Sequence, residues 1–172
     1  LRSVQYYEKF LPGKVDIEFN HEPTMDELNG FDHVILAIGA HNMDLPMSVE
    51  NSNVVSSWDI LNGQEVSGKC VVLGGGLVGA ETAEYLANKG LEVSIVEMMD
   101  KIAVQESETV LPLMEADFEK HNVQKFVNTR VSEIKDNVIY AVNTKDETNV
   151  EIAADTIVNA LGSKKNVFDD SK

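Results

Sequence analysis

The sequence predicts an α/β fold in which a parallel β-sheet is followed by an antiparallel meander. Residues 34–38 form a continuous apolar run closed by Gly39, which is typical of a strand buried on both faces of a parallel sheet. Residues 69–97 follow the pattern strand, glycine-rich loop, helix, strand, which indicates a βαβ unit. From residue 130 onward the apolar runs become short and are separated by turns, as in antiparallel strands.

Composition limits the class of protein to a small, acidic, globular chain. The 172 residues include 14 basic and 29 acidic side chains, giving a net charge of -15, and 43% of them are apolar. A chain of this size suits one domain or slightly more and is short for a complete cofactor enzyme. Its negative charge repels phosphate backbones and anionic lipid surfaces, so we expect no nucleic acid and no membrane partner. No apolar run approaches the roughly 20 residues of a membrane helix.

The single cysteine, Cys70, limits the covalent and metal chemistry of the chain. One thiol cannot form an internal disulfide, a cysteine-rich zinc site or an iron-sulfur cluster from this chain alone, and it fits a reducing, cytoplasmic compartment. At the start of a central strand, Cys70 is most simply a small buried apolar residue. The chain begins with Leu1 rather than methionine, so we expect a fragment of a longer protein.

The first 69 residues predict a few short elements and a connection. Residues 15–19 alternate apolar and charged side chains, which predicts a half-exposed strand. Thr24 and Glu27 have the spacing of a capping box, which predicts a short helix that ends within about a turn. The pattern then weakens over residues 41–69, which we interpret as a crossover between domains with a helical turn at residues 58–61.

The second block predicts the sheet in detail. The βαβ unit consists of a strand at residues 70–73, a helix at 80–89 and a strand at 92–97, with Gly90 as the stop signal of the helix. A second helix follows at 111–121 and a third parallel strand at 123–127. The predicted meander comprises strands at 130–135, 138–143, 150–153 and 156–160, with a turn at Asp136-Asn137 and a return through Leu161-Gly162.

A glycine-rich loop is the most informative motif. Gly74-Gly75-Gly76-Leu77-Val78-Gly79 forms a G-x-G-x-x-G pattern directly after an apolar strand and opens a helix. The first glycine permits a tight turn, the second lets a diphosphate approach the backbone, and the third lets helix and strand pack closely. The free amides and the positive end of the helix dipole attract an anion locally, in spite of the net charge of -15. The pattern therefore predicts dinucleotide binding; a flexible loop or simple close packing is the alternative.

Glu97 completes the predicted site, 21 residues beyond Gly76. A carboxylate at this strand end accepts hydrogen bonds from the adenine ribose and repels a 2′-phosphate, so we expect NADH to be preferred over NADPH. Lys101 leaves this preference open, because a nearby cation could hold that phosphate. Glu81, in the first helical turn, could face the nicotinamide, although solvation on the polar helix face is nearly as good an interpretation. Met98 could contact the adenine or simply pack.

The other reactive side chains predict neither a metal site nor a catalytic residue. The histidines are scattered without the spacing of metal ligands and without a nucleophile partner; they are His21, His33, His41 and His121. The acidic surplus is interpreted as a solvated exterior.

Four segments of the chain resemble a known enzyme family. They are FDHVILAIG at residues 31–39, NVVSSWDIL at 53–61, GKCVVLGGGLVGAETAEYLANKGLEVSIVEMMDKIA at 68–103, and ADTIVNALGS at 154–163. These segments resemble the C-terminal region of the NADH:flavin oxidoreductases related to 2,4-dienoyl-CoA reductase and 2-enoate reductase. More broadly, they resemble the pyridine nucleotide-disulfide oxidoreductase fold.

The resemblance implies a particular domain organisation. In that fold a Rossmann-like NAD(H)-binding domain is inserted between two parts of an FAD-binding domain. Residues 1–50 would be part of the FAD-binding domain, 51–69 a crossover linker, 70–161 the NAD(H)-binding domain, and 162–172 the return to the FAD-binding domain. The segments 37–39 and 160–162 would be the two crossovers, and Gly162 would lie near the cofactor.

The resemblance also implies the chemistry of a longer parent protein. In full-length relatives NADH reduces FAD, and electrons pass through an iron-sulfur cluster to FMN, which reduces an activated alkene such as an enoate or a dienoyl-CoA. The partners implied here are NADH and the FAD-binding and barrel domains of the same polypeptide. The isolated chain would bind NADH without being an active enzyme by itself.

Two other functions remain open from the sequence. An S-adenosylmethionine methyltransferase also places a glycine loop after its first strand and an acid at the end of its second, although the long glycine-to-helix register and the terminal meander argue against it. A redox-sensing or interaction module could bind the dinucleotide without turnover.

Overall fold

A computed structural model describes residues 2–168 of the chain. The chain divides into two compact units. One unit is Leu1–Ile38 together with Val167–Lys172, and the other is Gly39–Asn166.

The described residues of the first unit form two helices, α1 (Arg2–Phe10) and α2 (Met25–Leu28). The predicted capping box of α2 is confirmed: the N–H of Thr24 donates to the carboxylate of Glu27 over 2.7 Å, and the N–H of Glu27 donates to the Thr24 hydroxyl over 3.4 Å. Helix α1 was not predicted from the sequence. Its aromatic residues Tyr6 and Phe10 stack on each other one helical turn apart, with ring centroids 5.3 Å apart.

Two strands predicted in the first unit are absent from the described structure. Residues 34–38 and 15–19 belong to no sheet among residues 2–168, apart from one isolated bridge between Pro12 and Val15. The apolar side chains of residues 34–38 are exposed, and Ile35 reaches 91% exposure. These predictions were wrong because a strand forms only where a neighbouring strand completes its hydrogen bonds, and the pattern of one segment contains no information about that neighbour.

The second unit contains most of the regular structure. In chain order its elements are β1 (Ala40–Asn42), β2 (Ser48–Glu50), β3 (Val54–Ser56), α3 (Ser57–Leu61), β4 (Lys69–Leu73), α4 (Leu77–Asn88), β5 (Glu92–Val96), α5 (Leu111–Lys120), β6 (Gln124–Phe126), β7 (Thr129–Lys135), β8 (Val138–Asn143), β9 (Asn149–Ala153), β10 (Thr156–Asn159) and β11 (Ser163–Lys165). The predicted helical turn, both helices and the three parallel strands of the second block are confirmed, and α4 begins three residues earlier than expected.

The central sheet has five strands in the order β3-β10-β4-β5-β6, and all neighbouring pairs are parallel. This arrangement corrects one prediction, since residues 156–160 were expected to close the antiparallel meander. Instead β10 lies between β3 and β4, where all four of its residues are buried. Its apolar residues Ile157 and Val158 face opposite sides of the sheet, so both need a covering layer, and only an inner position supplies two layers.

A second sheet has four strands in the order β2-β7-β8-β9. Strands β7, β8 and β9 form the predicted antiparallel meander, and β2 adds to β7 in parallel. The predicted turn at Asp136-Asn137 is confirmed, with φ values of 51° and 60° that are typical of a tight hairpin turn. Asn137 also accepts the N–H of Asn53 over 2.7 Å, which joins this turn to the chain segment before β3.

Two apolar layers cover the central sheet. Cys70 and Val72 of β4 point into a cluster with helices α4 and α5, whereas Val71 and Leu73 point into a cluster with the four-stranded sheet. The strand is therefore buried on both faces, and the α/β fold class is confirmed. Strands β1 and β11 pair antiparallel as a separate two-stranded ribbon. Within residues 2–168 no helix has the length and apolar character needed to cross a membrane.

Candidate functional site

The glycine loop connects the buried strand β4 to helix α4. Gly74 has a φ of +99° and donates its N–H to the carbonyl of Val96 over 2.9 Å. A Cβ atom at this position would lie 2.6 Å from the carbonyl oxygen of Ala160, which follows β10. Both the backbone conformation and the packing therefore require glycine.

Gly79 lies in the first turn of α4 and is buried. A Cβ atom here would overlap the carbonyl oxygen of Gly74 and would lie 3.3 Å from the Cβ of Ala160. The absence of a side chain lets the start of the helix pack directly on the glycine loop and on the strand end beyond it. This is the close helix–strand contact that the third glycine of the pattern predicts.

Gly76 differs from both of these glycines. It is the N-cap of α4, with ordinary extended dihedral angles of φ -66° and ψ -176°, and a Cβ atom here would meet nothing within 4 Å. Because glycine has no side chain, no side-chain hydrogen bond caps the N–H groups of the first turn. Leu77 is half-buried and Val78 is exposed, so the start of α4 presents free backbone donors beside open space.

Glu97 directly follows β5 and contacts the glycine loop. Its Oε2 accepts the N–H of Gly75 over 2.6 Å, and its Oε1 accepts the N–H of Met99 over 2.7 Å. A carboxylate has about four acceptor positions, so roughly two remain for another donor. A Cβ atom on Gly75 would lie 3.0 Å from the Cβ of Glu97, so a side chain there would press on the carboxylate that contacts the loop.

Ala103 is a site residue that the sequence analysis missed. It is buried, adopts a φ of +53°, and donates its N–H to the carbonyl of Gly75 over 2.7 Å. Residues 97–103 therefore fold back onto the glycine loop at both ends. An alanine at positive φ leaves no signal in a single sequence, because glycine or asparagine is the usual residue in that conformation.

Three further predicted site residues are Glu81, Met98 and Gly162. Glu81 is exposed on α4, and Met98 is exposed in the loop after Glu97. Gly162 has a φ of +119°, and its carbonyl accepts the N–H of Met43 over 3.0 Å, next to the pairing of β1 with β11. The structure thus brings the glycine loop, Glu97 and the end of β10 together and leaves Glu81 on the helix surface.

Strand β4 and helix α4, which flank the glycine loop, each carry a described ionisable group with a raised pKa. Burial, followed by the negative charge of Asp117 on α5, raises the pKa of Glu84 on α4. Burial also raises the pKa of the Cys70 thiol to about 11, so this cysteine is protonated at neutral pH and is not a nucleophile. No cluster of three metal-ligating side chains occurs in the described part of the chain.

The chain belongs to the pyridine nucleotide-disulphide oxidoreductase family, whose model matches residues 5–170. The family uses FAD and NAD(H), and its Rossmann-like domain corresponds to the parallel sheet and helices found here. The chain therefore carries a domain of a flavin- and NAD(P)-dependent oxidoreductase family. This membership does not fit the methyltransferase alternative.

Particular relatives agree with this class. The chain is 46% identical over 140 residues to a bilirubin reductase from Mediterraneibacter gnavus, a match that covers 80% of the chain and 22% of the relative. It is 36% identical over 137 residues to an NADH oxidase from Thermoanaerobacter brockii, covering 76% of the chain and 21% of the relative. A solved structure of 2-naphthoyl-CoA reductase superposes with a TM-score of 0.78 at 26% identity, covering 94% of this chain and 25% of that one. The chain thus spans about a quarter or less of the length of these proteins.

Proposed function

We propose that this chain binds NADH on the glycine loop and presents the nicotinamide to an FAD held by other parts of the same polypeptide. When bound, NADH supplies a hydride and FAD accepts it. The residues of this chain bind and orient the dinucleotide; none of them is assigned a catalytic role.

The observation that carries this proposal is the environment of Gly76. The first-turn N–H groups of α4 have no side-chain cap, and the backbone at Gly76 borders open space. Free amides together with the positive end of a helix dipole favour a negatively charged group. A diphosphate fits these donors, and it would contact the backbone of Gly76, Leu77 and Val78.

Glu97 supports a preference for NADH over NADPH. Its carboxylate is already fixed by two backbone N–H groups and retains acceptor capacity for ribose hydroxyls. A 2′-phosphate near this group would be repelled by roughly 1 kcal/mol in water and up to about 4 kcal/mol near a protein surface. The name of the NADH oxidase relative agrees with this preference.

The other site residues receive weaker roles in the same proposal. Met98 would contact the adenine, Glu81 would lie on the nicotinamide side, and Gly162 would let the cofactor approach the crossover. Residues 1–50 and 162–172 would belong to the FAD-binding domain, and 70–161 to the NAD(H)-binding domain.

The parent enzyme would reduce an activated alkene of the enoate or dienoyl-CoA type. Support comes from the resemblance described above and from the names of two matched proteins, which are both reductases. An iron-sulfur cluster and FMN would then be carried by a barrel domain of the same polypeptide. A cytoplasmic location fits this chemistry.

Titration of the 172-residue chain with NADH and NADPH tests the binding step, with two glycine variants of helix α4. Gly76→Ala places a methyl group where the diphosphate would approach, at ordinary dihedral angles and with no atom within 4 Å. We expect it to weaken NADH binding at least tenfold while lowering stability by less than about 1 kcal/mol, because alanine is a poorer N-cap than glycine.

Gly90→Ala is the matched control at the other end of the same helix. Gly90 has a φ of +85° and open surroundings, so alanine there costs about 1–2 kcal/mol in stability and leaves NADH affinity unchanged. Absence of saturable NADH binding, tighter NADPH binding, or equal effects of both variants on affinity would overturn the proposal. A full-length protein that binds NADH but oxidises none, with FAD and an artificial electron acceptor present, would instead be a redox-sensing module.

A further inference from the structure

The peptide group between Gly75 and Gly76 is held in a fixed orientation. On one side of Gly75, Glu97 accepts its N–H over 2.6 Å. On the other side, Ala103 donates its N–H to the Gly75 carbonyl over 2.7 Å. Both backbone polar groups of Gly75 are therefore hydrogen-bonded to the segment that follows β5, and the Gly75 N–H is not available to a ligand.

The orientation of the Gly75 carbonyl determines the direction of the next N–H. No peptide bond in the described part of the chain is cis, and in a trans peptide the C=O and the following N–H point in opposite directions. Because the Gly75 carbonyl points towards Ala103, the N–H of Gly76 points away from it. Among residues 2–168 no acceptor takes that N–H, and Gly76 is exposed.

Ala103 makes its hydrogen bond from an unfavourable backbone conformation. Its φ of +53° is rare for a residue with a Cβ, and its side chain is 1% exposed. Such a conformation persists only where the surrounding structure imposes it, and such residues cluster at functional sites. The preceding residue, Ile102, restricts Gly75 itself, because its Cγ1 would lie 3.1 Å from a Cβ atom on that glycine.

We propose that Ala103 is a positioning residue for diphosphate recognition. Its N–H fixes the Gly75–Gly76 peptide so that the N–H of Gly76 is directed at the diphosphate of the bound dinucleotide. This inference rests on the proposed function and adds to it a residue that acts through the peptide group without contacting the cofactor.

The test removes only the donor atom of Ala103. Replacement of Ala103 by lactic acid converts its N–H into an ester oxygen and retains the methyl group and the chirality. A purely structural role would weaken every ligand of the site, whereas a role in orienting Gly76 affects ligands that carry a diphosphate. ADP-ribose carries the diphosphate and adenosine does not, while both carry the ribose assigned to Glu97.

We expect the ester chain to bind ADP-ribose about tenfold more weakly and adenosine within twofold of the unmodified chain, as measured by NMR titration. Ala103→Gly, which keeps the N–H and accepts positive φ easily, should bind both ligands within twofold. Equal weakening of both ligands in the ester chain, or no weakening of either, would overturn the inference.

A measurement on the unmodified chain covers the case in which the ester chain does not fold. ADP-ribose should shift the amide proton of Gly76 downfield and slow its exchange, and adenosine should do neither, while the Ala103 amide stays protected throughout. A Gly76 amide that does not respond to bound ADP-ribose overturns the inference alone. If the unmodified chain binds no ADP-ribose, the proposed function fails as well.

Discussion

Two apolar segments of the chain share a sequence pattern and differ completely in burial. Residues 71–73 are fully buried in strand β4, between β10 and β5. Residues 34–38 are equally apolar, yet Ile35 is 91% exposed and the segment joins no sheet among residues 2–168. The comparison shows that an apolar run predicts a need for burial, whereas the partners that satisfy that need are decided elsewhere in the sequence.

The glycines that follow these segments extend the comparison. Gly74 and Gly39 both have positive φ, +99° and +75°. Beside Gly74 the backbone of Ala160 is in close contact, whereas the nearest atom to a Cβ on Gly39 would be 3.9 Å away, on Asn166. Close packing by a neighbouring strand end therefore distinguishes Gly74 from Gly39, which directly precedes β1.

The largest expected effect comes from truncating one residue of each segment. Leu73→Ala removes a fully buried side chain and should lower the free energy of unfolding by about 2–5 kcal/mol. Ile35→Ala removes an exposed side chain and should change it by less than about 0.5 kcal/mol in the 172-residue chain. Urea unfolding followed by circular dichroism and by the fluorescence of the single tryptophan, Trp58, measures both.

The Ile35→Ala variant, made in the full-length protein, also tests the proposal that residues 34–38 belong to an FAD-binding domain. If residues 34–38 belong to an FAD-binding domain that is completed by other parts of the polypeptide, Ile35→Ala in the full-length protein should cost about 2–5 kcal/mol. A cost below about 0.5 kcal/mol in both forms would contradict that assignment.

A smaller difference is expected between the two glycines. Gly39→Ala should cost about 1–2 kcal/mol, because alanine at positive φ is strained while the space around it is open. Gly74→Ala carries the same strain and also a contact of 2.6 Å with a backbone oxygen, which adds about 1–3 kcal/mol. Equal unfolding free energies of the two variants would show that packing against Ala160 does not matter.

The smallest effects concern two carboxyl groups with opposite pKa shifts. In the first unit, hydrogen bonds from the backbone and then the side chain of Thr24 lower the pKa of Glu27 below 4.5. In the second unit, burial and then the charge of Asp117 raise the pKa of Glu84 above 4.5. The stabilisation from ionised Glu27 is therefore present above pH 4.5 and is lost as the pH falls through its folded pKa. The penalty on ionised Glu84 is present at neutral pH and disappears as the pH falls below 4.5.

NMR titration of the side-chain carboxyl carbons should show a lowered pKa for Glu27 and a raised pKa for Glu84. Glu84→Gln should raise the melting temperature at pH 7 by an amount that corresponds to less than about 1 kcal/mol, since solvent screens this group, and the gain should vanish near pH 4. Glu27→Gln should lower helix content at pH 7 and have no effect at low pH. A gain for Glu84→Gln that grows on acidification would contradict the assigned sign.

Local patterns predicted the parts of the fold whose partners are close in sequence. The βαβ unit, helix α5 and the Asp136-Asn137 turn were all predicted, because each depends on neighbouring residues. Strand β10 was placed in the wrong sheet, and β3, to which it pairs, was missed, because their pairing joins residues about 100 positions apart.

In the candidate site, too, local patterns were predicted and contacts between distant residues were not. The glycine pattern and Glu97 could be found from spacing, since each residue type has a known backbone or charge requirement. The hydrogen bond between Glu97 and Gly75, and the role given to Ala103, could not be found from the sequence. They depend on how residues 98–103 return to the loop, and alanine is compatible with many other conformations.

The inner position of β10 has a consequence for synthesis of the protein on the ribosome. Strands β3 and β4 are translated before β10, but each needs β10 as a neighbour in the folded sheet. Until Thr156–Asn159 leaves the exit tunnel, β4 has an open edge on one side that can pair with other nascent chains. A ribosome that stalls before this point would therefore release a polypeptide prone to aggregation.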